Sequence, residues 1–161
     1  MEYRNMLPFE TMQLIDFTYH ALYVAPDEKP FERDILYTPE INKYYANFDV
    51  ERELCVVAED NFKLVGAIWG RVWDRDVKGY GYYDSHYVEL TMSIIPQYRG
   101  QSIGTHLLHK FIEEMRKTSY KGISLSASYG NFAKELYEKV GFKVVEERDT
   151  DILMVLELNN D

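Results

Sequence analysis

Glu89-Leu-Thr-Met-Ser-Ile-Ile-Pro-Gln-Tyr-Arg-Gly-Gln-Ser-Ile-Gly-Thr-His-Leu-Leu108 decides how the chain folds. Val88, Leu90, Met92 and Ile94 alternate with Glu89, Thr91, Ser93 and Ile95, the every-second-residue pattern of a strand. Pro96 has no N–H to give a ladder and ends it. Arg99, Gly100 and Gly104 then frame a turn that runs into an amphipathic helix. A helix start presents unpaired N–H groups and the positive end of the helix dipole, so the segment predicts an anion cradle suited to phosphate.

Working outward, Ile103, Leu107, Leu108, Phe111, Ile112 and Met115 form one apolar helical stripe, with Glu113 and Lys117 expected to pair on the other face. Gly122 to Ala127 predicts a strand whose Ile123, Leu125 and Ala127 alternate with serines. Asn131 to Val140 predicts a helix with Phe132, Leu136 and Val140 inward, Asn131 as cap and Gly141 just past its end. Lys143 to Glu147 and Ile152 to Leu158 predict a closing antiparallel pair. Upstream, residues 2–6 predict a short strand, and Thr11 to Tyr23 a helix. Thr38 before Pro39 predicts a capped helix with Ile41, Tyr44, Tyr45 and Phe48 on its apolar face. Glu53 to Ala58 and Leu64 to Trp73 predict a hairpin with its turn at Glu59-Asp60-Asn61. The long link from Asp74 to His86 and the next residue hold four tyrosines; walling a substrate and packing under the loop are both open readings.

Length and composition bound the answer. The expectation for 161 residues is one domain, 1–161, with a substantial core. Apolar content of 46% with 15% aromatics excludes a disordered chain. The longest apolar runs, such as Leu54 to Ala58, are too short to span a membrane, and the N-terminus lacks a signal-peptide pattern. With Cys55 the only cysteine, the reading is a cytoplasmic protein without disulfides and with no metal site. His106 and His109 are three apart on a helix, but no carboxylate or cysteine completes a ligand set. Residues 1–90 carry 17 acids against 9 bases, while the remainder is nearly balanced. This argues against nucleic acid as a partner and fits either a cationic partner or a solvated acidic face.

Two motifs in this order of elements resemble the GNAT superfamily of acyl-CoA-dependent N-acetyltransferases. Gln97 to Thr105, Q-Y-R-G-Q-S-I-G-T, is similar to that family's R/Q-x-x-G-x-G/A acetyl-CoA loop. Asn131 to Phe142, N-F-A-K-E-L-Y-E-K-V-G-F, is similar to its late helix ending in Y-x-K-x-G-F. The resemblance implies an α/β (α+β) fold with a mixed, mostly antiparallel central sheet of about six or seven strands and about four helices. It implies acetyl-CoA as co-substrate, no metal, and direct acetyl transfer to a primary amine of a cationic small molecule or peptide. A peptide or protein N-terminal acetyltransferase is the alternative acceptor reading, and a non-catalytic acyl-CoA-binding module the alternative from another class. A homodimer is compatible with all three.

The resemblance also implies site residues. Amides of Gln101, Ser102, Ile103, Gly104 and Thr105 would hold the pyrophosphate, with Arg99 and Gly100 in the same turn. The backbone of Ser93, Ile94 and Ile95 would pair with the pantetheine arm, and an N–H near Ser93 would polarise the thioester carbonyl. Ser102 stands where the family carries its central glycine, which puts a Cβ close to pyrophosphate; the serine could also cap the helix or donate its hydroxyl.

An alkyl amine of pKa ~10.4 is protonated at neutral pH, and removing that proton costs roughly 4.6 kcal/mol. Glu89 is the candidate base, with a structural glutamate as the other reading and a water chain as its substitute. The thiolate, of conjugate-acid pKa ~8.5, needs a proton, and the resemblance implies Tyr137, at the family's tyrosine position, as its donor; in isolation the residue reads as a core tyrosine. Asn131 would contact pantetheine, cap its helix, or do both.

Overall fold

The computed structural model describes residues 1–74 and 76–158; Arg75, inside the tyrosine-bearing link, and residues 159–161 lie outside the described residues. Seven strands run β1 Glu2–Asn5, β2 Cys55–Asp60, β3 Lys63–Arg71, β4 Tyr87–Ile94, β5 Gly122–Ser128, β6 Lys143–Glu147 and β7 Asp151–Glu157. Four α-helices are α1 Leu14–Ala21, α2 Pro39–Asn42, α3 Ile103–Met115 and α4 Ala133–Lys139. The sheet order is β1-β2-β3-β4-β5-β7-β6, the seven-strand, mostly antiparallel arrangement expected. The β4–β5 ladder is parallel and three pairs long, ending at Glu89↔Ser124, while β5 continues with β7 to Ser128. Chain contacts group into two compact units: Met1–Trp69 with Thr91–Phe111, and Gly70–Leu90 with the chain from Ile112 on.

In the first unit, Met6, Leu14, Phe17, Phe48, Val57, Leu64 and Trp69 form one buried cluster. Cys55 belongs to it, and burial pushes its thiol above the ordinary range. The first helix starts later than its periodicity predicts, because Pro8–Gln13 is wound as a 3-10 turn before α1. Glu10 in that turn explains the early winding. Its carboxylate accepts from the Leu7 amide and takes a bidentate grip from Arg4, at 3.0 and 2.8 Å.

The second helix is a single turn. Thr38 does not cap it, since its hydroxyl donates back to the Ile35 carbonyl (2.7 Å) of a 3-10 turn, Arg33–Tyr37, that the pattern did not predict. Ile41, Tyr44 and Phe48 are nevertheless buried. The β2–β3 turn falls one residue later than predicted, on Asn61 and Phe62 with φ of 50° and 66°. Two left-handed residues match the twist of a two-residue hairpin.

In the second unit, β7 lies between β5 and β6, and Ile123, Leu125, Met154 and Tyr137 are buried. The serine face of β5 is covered as well: Ser124 is buried and its hydroxyl donates to the Gly81 carbonyl at 2.6 Å. At the end of α3, Lys117 pairs with Glu114 (3.2 Å) rather than with Glu113. Lys117 lies two residues past the last residue of α3, where i,i+4 helical spacing no longer applies.

Candidate functional site

In the first unit, β4 hands over to the turn through a short 3-10 segment, Pro96–Tyr98. The turn is pinned from three sides. Ile95 donates its N–H to the Val65 carbonyl at 3.0 Å, and the Tyr98 hydroxyl donates to Asp60 Oδ2 at 2.8 Å. Arg99 uses Nε on the Ile94 carbonyl (3.1 Å) and Nη2 on the His20 carbonyl (3.0 Å). Arg99 therefore fastens the turn to the end of α1 before it does anything for a phosphate.

Gly100 and Ser102 follow with φ of 79° and 64°. Nothing lies within 4 Å of a Cβ built on Gly100, so that glycine is required by its dihedral and not by space. Ser102 sits in the left-handed region where a side chain is disfavoured, which explains why glycine suits this place in the motif. Ile103, Gly104 and Thr105 open α3, so their N–H groups have no acceptor within the helix and face outward from its start. Ser93 is buried on β4 and its hydroxyl has no hydrogen-bond partner among the described residues.

In the second unit, Glu89 is buried near the middle of β4 at 5% exposure. The indole Nε1 of Trp73 donates to its Oε1 at 2.6 Å. The main chain of Gly81 passes beside the same carboxylate: a Cβ there would lie 2.9 Å from Oε2 and 2.7 Å from the Ser126 nitrogen. Glycine is present because nothing larger fits. The Gly81 carbonyl accepts from Ser124, and the Tyr80 carbonyl accepts from Arg148 Nη2 at 2.8 Å. Arg148 is itself held by Asp151 through Nε (2.9 Å) and Nη2 (2.8 Å).

The late helix departs from its predicted facing. Phe132 is 90% exposed and Leu136 and Val140 are half-buried, whereas Tyr137 is buried. Val140 lies at the frayed end and Phe132 precedes the first turn, so neither has the helical direction that the periodicity assumed. Asn131 accepts the Ala133 N–H on Oδ1 at 2.9 Å, as a capping side chain would. The helix closes with the Phe142 N–H on the Tyr137 carbonyl (3.0 Å) and the Gly141 N–H on Glu138 (3.1 Å), with Gly141 at φ 113°. This is a Schellman closure, and its usual apolar contact is the Tyr137 ring against Phe142 at 5.5 Å. Burial pushes the Tyr137 phenol well above its ordinary value, so it is a neutral O–H at any physiological pH.

Trp73, Gly81, Ser124 and Arg148 were not singled out from the sequence. The only available signal was the length of the link after β3 and its glycines. A cavity of about 460 Å3 also opens in the first unit, lined by Asp16, Phe17, His20, Arg33, Lys63 and Pro96 among others. Burial, then the charge of Arg99, holds the His20 imidazole below its usual value there. No group of three or more His, Cys, Asp or Glu side chains able to hold a metal occurs among the described residues. No helix among them is long and apolar enough to cross a membrane.

A model of the acetyltransferase (GNAT) family matches residues 16–142. Solved structures share the fold over nearly the whole chain. One is yncA of Salmonella typhimurium, solved with its cofactor acetyl-CoA: TM-score 0.72, 19% identity, 100% of this chain and 95% of that one. The ribosomal-protein-S18-alanine N-acetyltransferase of Escherichia coli follows at 0.68 and 18%, covering 99% and 95%. A GNAT family acetyltransferase of Brucella melitensis in complex with acetyl-CoA has 0.61 and 19%, covering 99% and 89%. No curated protein matches the sequence at a significant level.

Proposed function

This chain belongs to the acetyltransferase (GNAT) family, and from that premise we propose that it moves an acetyl group from acetyl-CoA directly to a primary amine. The observation that supports the reading is the pinned turn: two left-handed residues, Gly100 and Ser102, leading into the three amides that open α3 and have no acceptor within the helix. In this reading the amides of Gln101 to Thr105 hold the pyrophosphate, and Arg99 sets the turn's shape. The edge of β4 from Ser93 to Ile94 pairs with the pantetheine arm. Ile95 contributes less, because its N–H is already given to Val65.

The amine nitrogen attacks the thioester carbonyl carbon. The ammonium proton passes first to Glu89, directly or through water, and on to solvent. The C–N bond then forms, the C–S bond breaks and the thiolate takes the Tyr137 proton. The second nitrogen proton, released as the amide forms, restores the phenol. With its pKa raised, the phenol is a weaker acid than the ordinary ~10, so protonating a thiolate of ~8.5 would be uphill in water. Desolvation raises the thiol in the same direction and narrows that gap. Asn131 contributes a helix cap, and its amide nitrogen remains the group to meet pantetheine.

For the acceptor we propose a cationic small molecule or peptide amine. Supporting it, Asp27, Glu28, Glu32 and Asp34 are all exposed between α1 and α2, and Glu40 is exposed in the first turn of α2. The test is thiol release from acetyl-CoA over a panel of polyamines, aminoglycosides and peptides, including an alanine N-terminus. Turnover of a polycation and not of neutral amines supports the reading. Turnover of peptide N-termini alone transfers the acceptor to the protein class, and acetyl-CoA binding without any turnover would make the chain a binding module.

A further inference from the structure

We propose that Trp73 is a positioning residue for Glu89, acting with the Tyr80–Gly81 strap to fix the direction of its carboxylate; the inference rests on reading Glu89 as the base. An indole N–H to a carboxylate is a charge-assisted bond, and at 2.6 Å this one is shorter than the usual ~2.7–3.2 Å of an N–H···O contact. A glutamate carboxylate, with three side-chain torsions, otherwise samples several directions, and only some aim its lone pairs at an incoming amine or water. Here both flanks are set. Trp73 holds Oε1, and Gly81 stands so close to Oε2 that a single added carbon would collide.

The strap is not loose loop laid across the strand. Two successive carbonyls, Tyr80 and Gly81, are each bonded to a side chain from the β5–β7 region: Arg148 and Ser124. Arg148 is made rigid by its two bonds to Asp151, and Asp151 accepts a further bond from Ser126 at 2.9 Å. The long link after β3 thereby gains a function: it carries the two groups that aim Glu89.

The chain has two tryptophans, which makes the test direct. Trp69 donates its indole N–H to a neutral carbonyl, Tyr44, at 2.9 Å and serves as internal control. In 15N-labelled protein, Glu89→Gln should move the Trp73 indole resonance and leave that of Trp69 in place. An unmoved Trp73 resonance overturns the inference.

Kinetics supply the second arm, with the fastest amine of the acceptor panel, or with water as acceptor where no amine is taken. Trp73→Phe should lower kcat on the order of tenfold with the KM for acetyl-CoA unchanged, as expected for a displaced base. In the Glu89→Gln background the same change should cost nothing further, since Trp73 acts only through Glu89. A tenfold loss in both backgrounds overturns positioning and leaves Glu89 as base. Full activity of Glu89→Gln alone overturns the base assignment itself, and the inference with it.

Discussion

The carbonyl oxygen of Ser102 accepts twice from His106, from its amide at 3.3 Å and from ring Nδ1 at 2.8 Å. A carbonyl only accepts, so the imidazole carries its proton on Nδ1. The other side of that ring stacks on Tyr3 at 5.1 Å, with the planes 17° apart. The left-handed residue at the mouth of α3 is thus held by a histidine one turn later, and that histidine is braced by β1.

Ser102→Gly should stabilise the protein. It removes a Cβ from φ 64° at a cost in unfolded-chain entropy, for a net gain of about 0.5–1 kcal/mol. In a chain of this size that is a rise of roughly 1–4 °C in Tm, measured by calorimetry. Acetyl-CoA affinity should hold or improve. A fall in both would mean that the serine hydroxyl, and not merely the backbone, serves the ligand.

Arg99→Lys should weaken acetyl-CoA binding about as much as Arg99→Ala. The guanidinium spans two carbonyls from separate segments, and an ammonium point donor cannot reproduce that fork. A loss on the order of tenfold in Kd is expected from loosening a preorganised turn. Full retention by lysine would instead indicate a charge acting on phosphate.

Tyr137→Phe should lower kcat about 10²-fold or more with CoA affinity and Tm nearly unchanged. The ring contact with Phe142 and the helix closure survive, so folding is spared. A drop in Tm with no change in turnover would make this a core tyrosine.

Gly141→Ala should destabilise by more than about 1 kcal/mol, because φ 113° excludes a side chain and the new Cβ would sit 3.2 Å from Leu156 Cδ1. Thermal unfolding reads this directly. Since Gly141 closes the helix that carries Tyr137, kcat should fall with it.

Stability should depend on pH through Glu10. The hydrogen bonds from Arg4 hold its carboxyl below the usual carboxylate range, against the opposing effect of burial. On acidification the unfolded chain takes up the proton first, near pH ~4.3. The contribution is therefore complete above that value and is lost as pH falls through the lower folded value. Glu10→Gln should reduce Tm at neutral pH and flatten its decline between about pH 5 and pH 3, measured by thermal scans across that range.

Strands and long helices were legible wherever periodicity had room to show itself. Ile103 to Met115 gave an unbroken stripe, and all six of its apolar residues are buried. Short elements were not. The first helix lost its opening turn to the Glu10–Arg4 grip, and the second shrank to one turn while Thr38 bonded backward. In both cases a local side-chain bond outcompeted helical winding, and nothing in the spacing signals such a choice. At the late helix the motif was right and the facing was wrong: Phe132 is exposed and Tyr137 buried. The seven-residue helix has too few turns for periodicity to outvote its ends.

The sequence by itself determined the family, through two motifs about thirty residues apart, and it determined that the Glu89 strand passes through a glycine-bearing turn into the long α3 helix, because alternation and helical periodicity both had room to show there. Only the tertiary structure decided what Arg99 does, what Ser102 endures and what surrounds Glu89. Those answers depend on partners far along the chain: His20 for Arg99, Tyr3 behind His106, and Trp73, Gly81 and Ser124 around the carboxylate. A hydrogen bond needs its two groups within about 3 Å, and that proximity arises from packing, to which local spacing is blind.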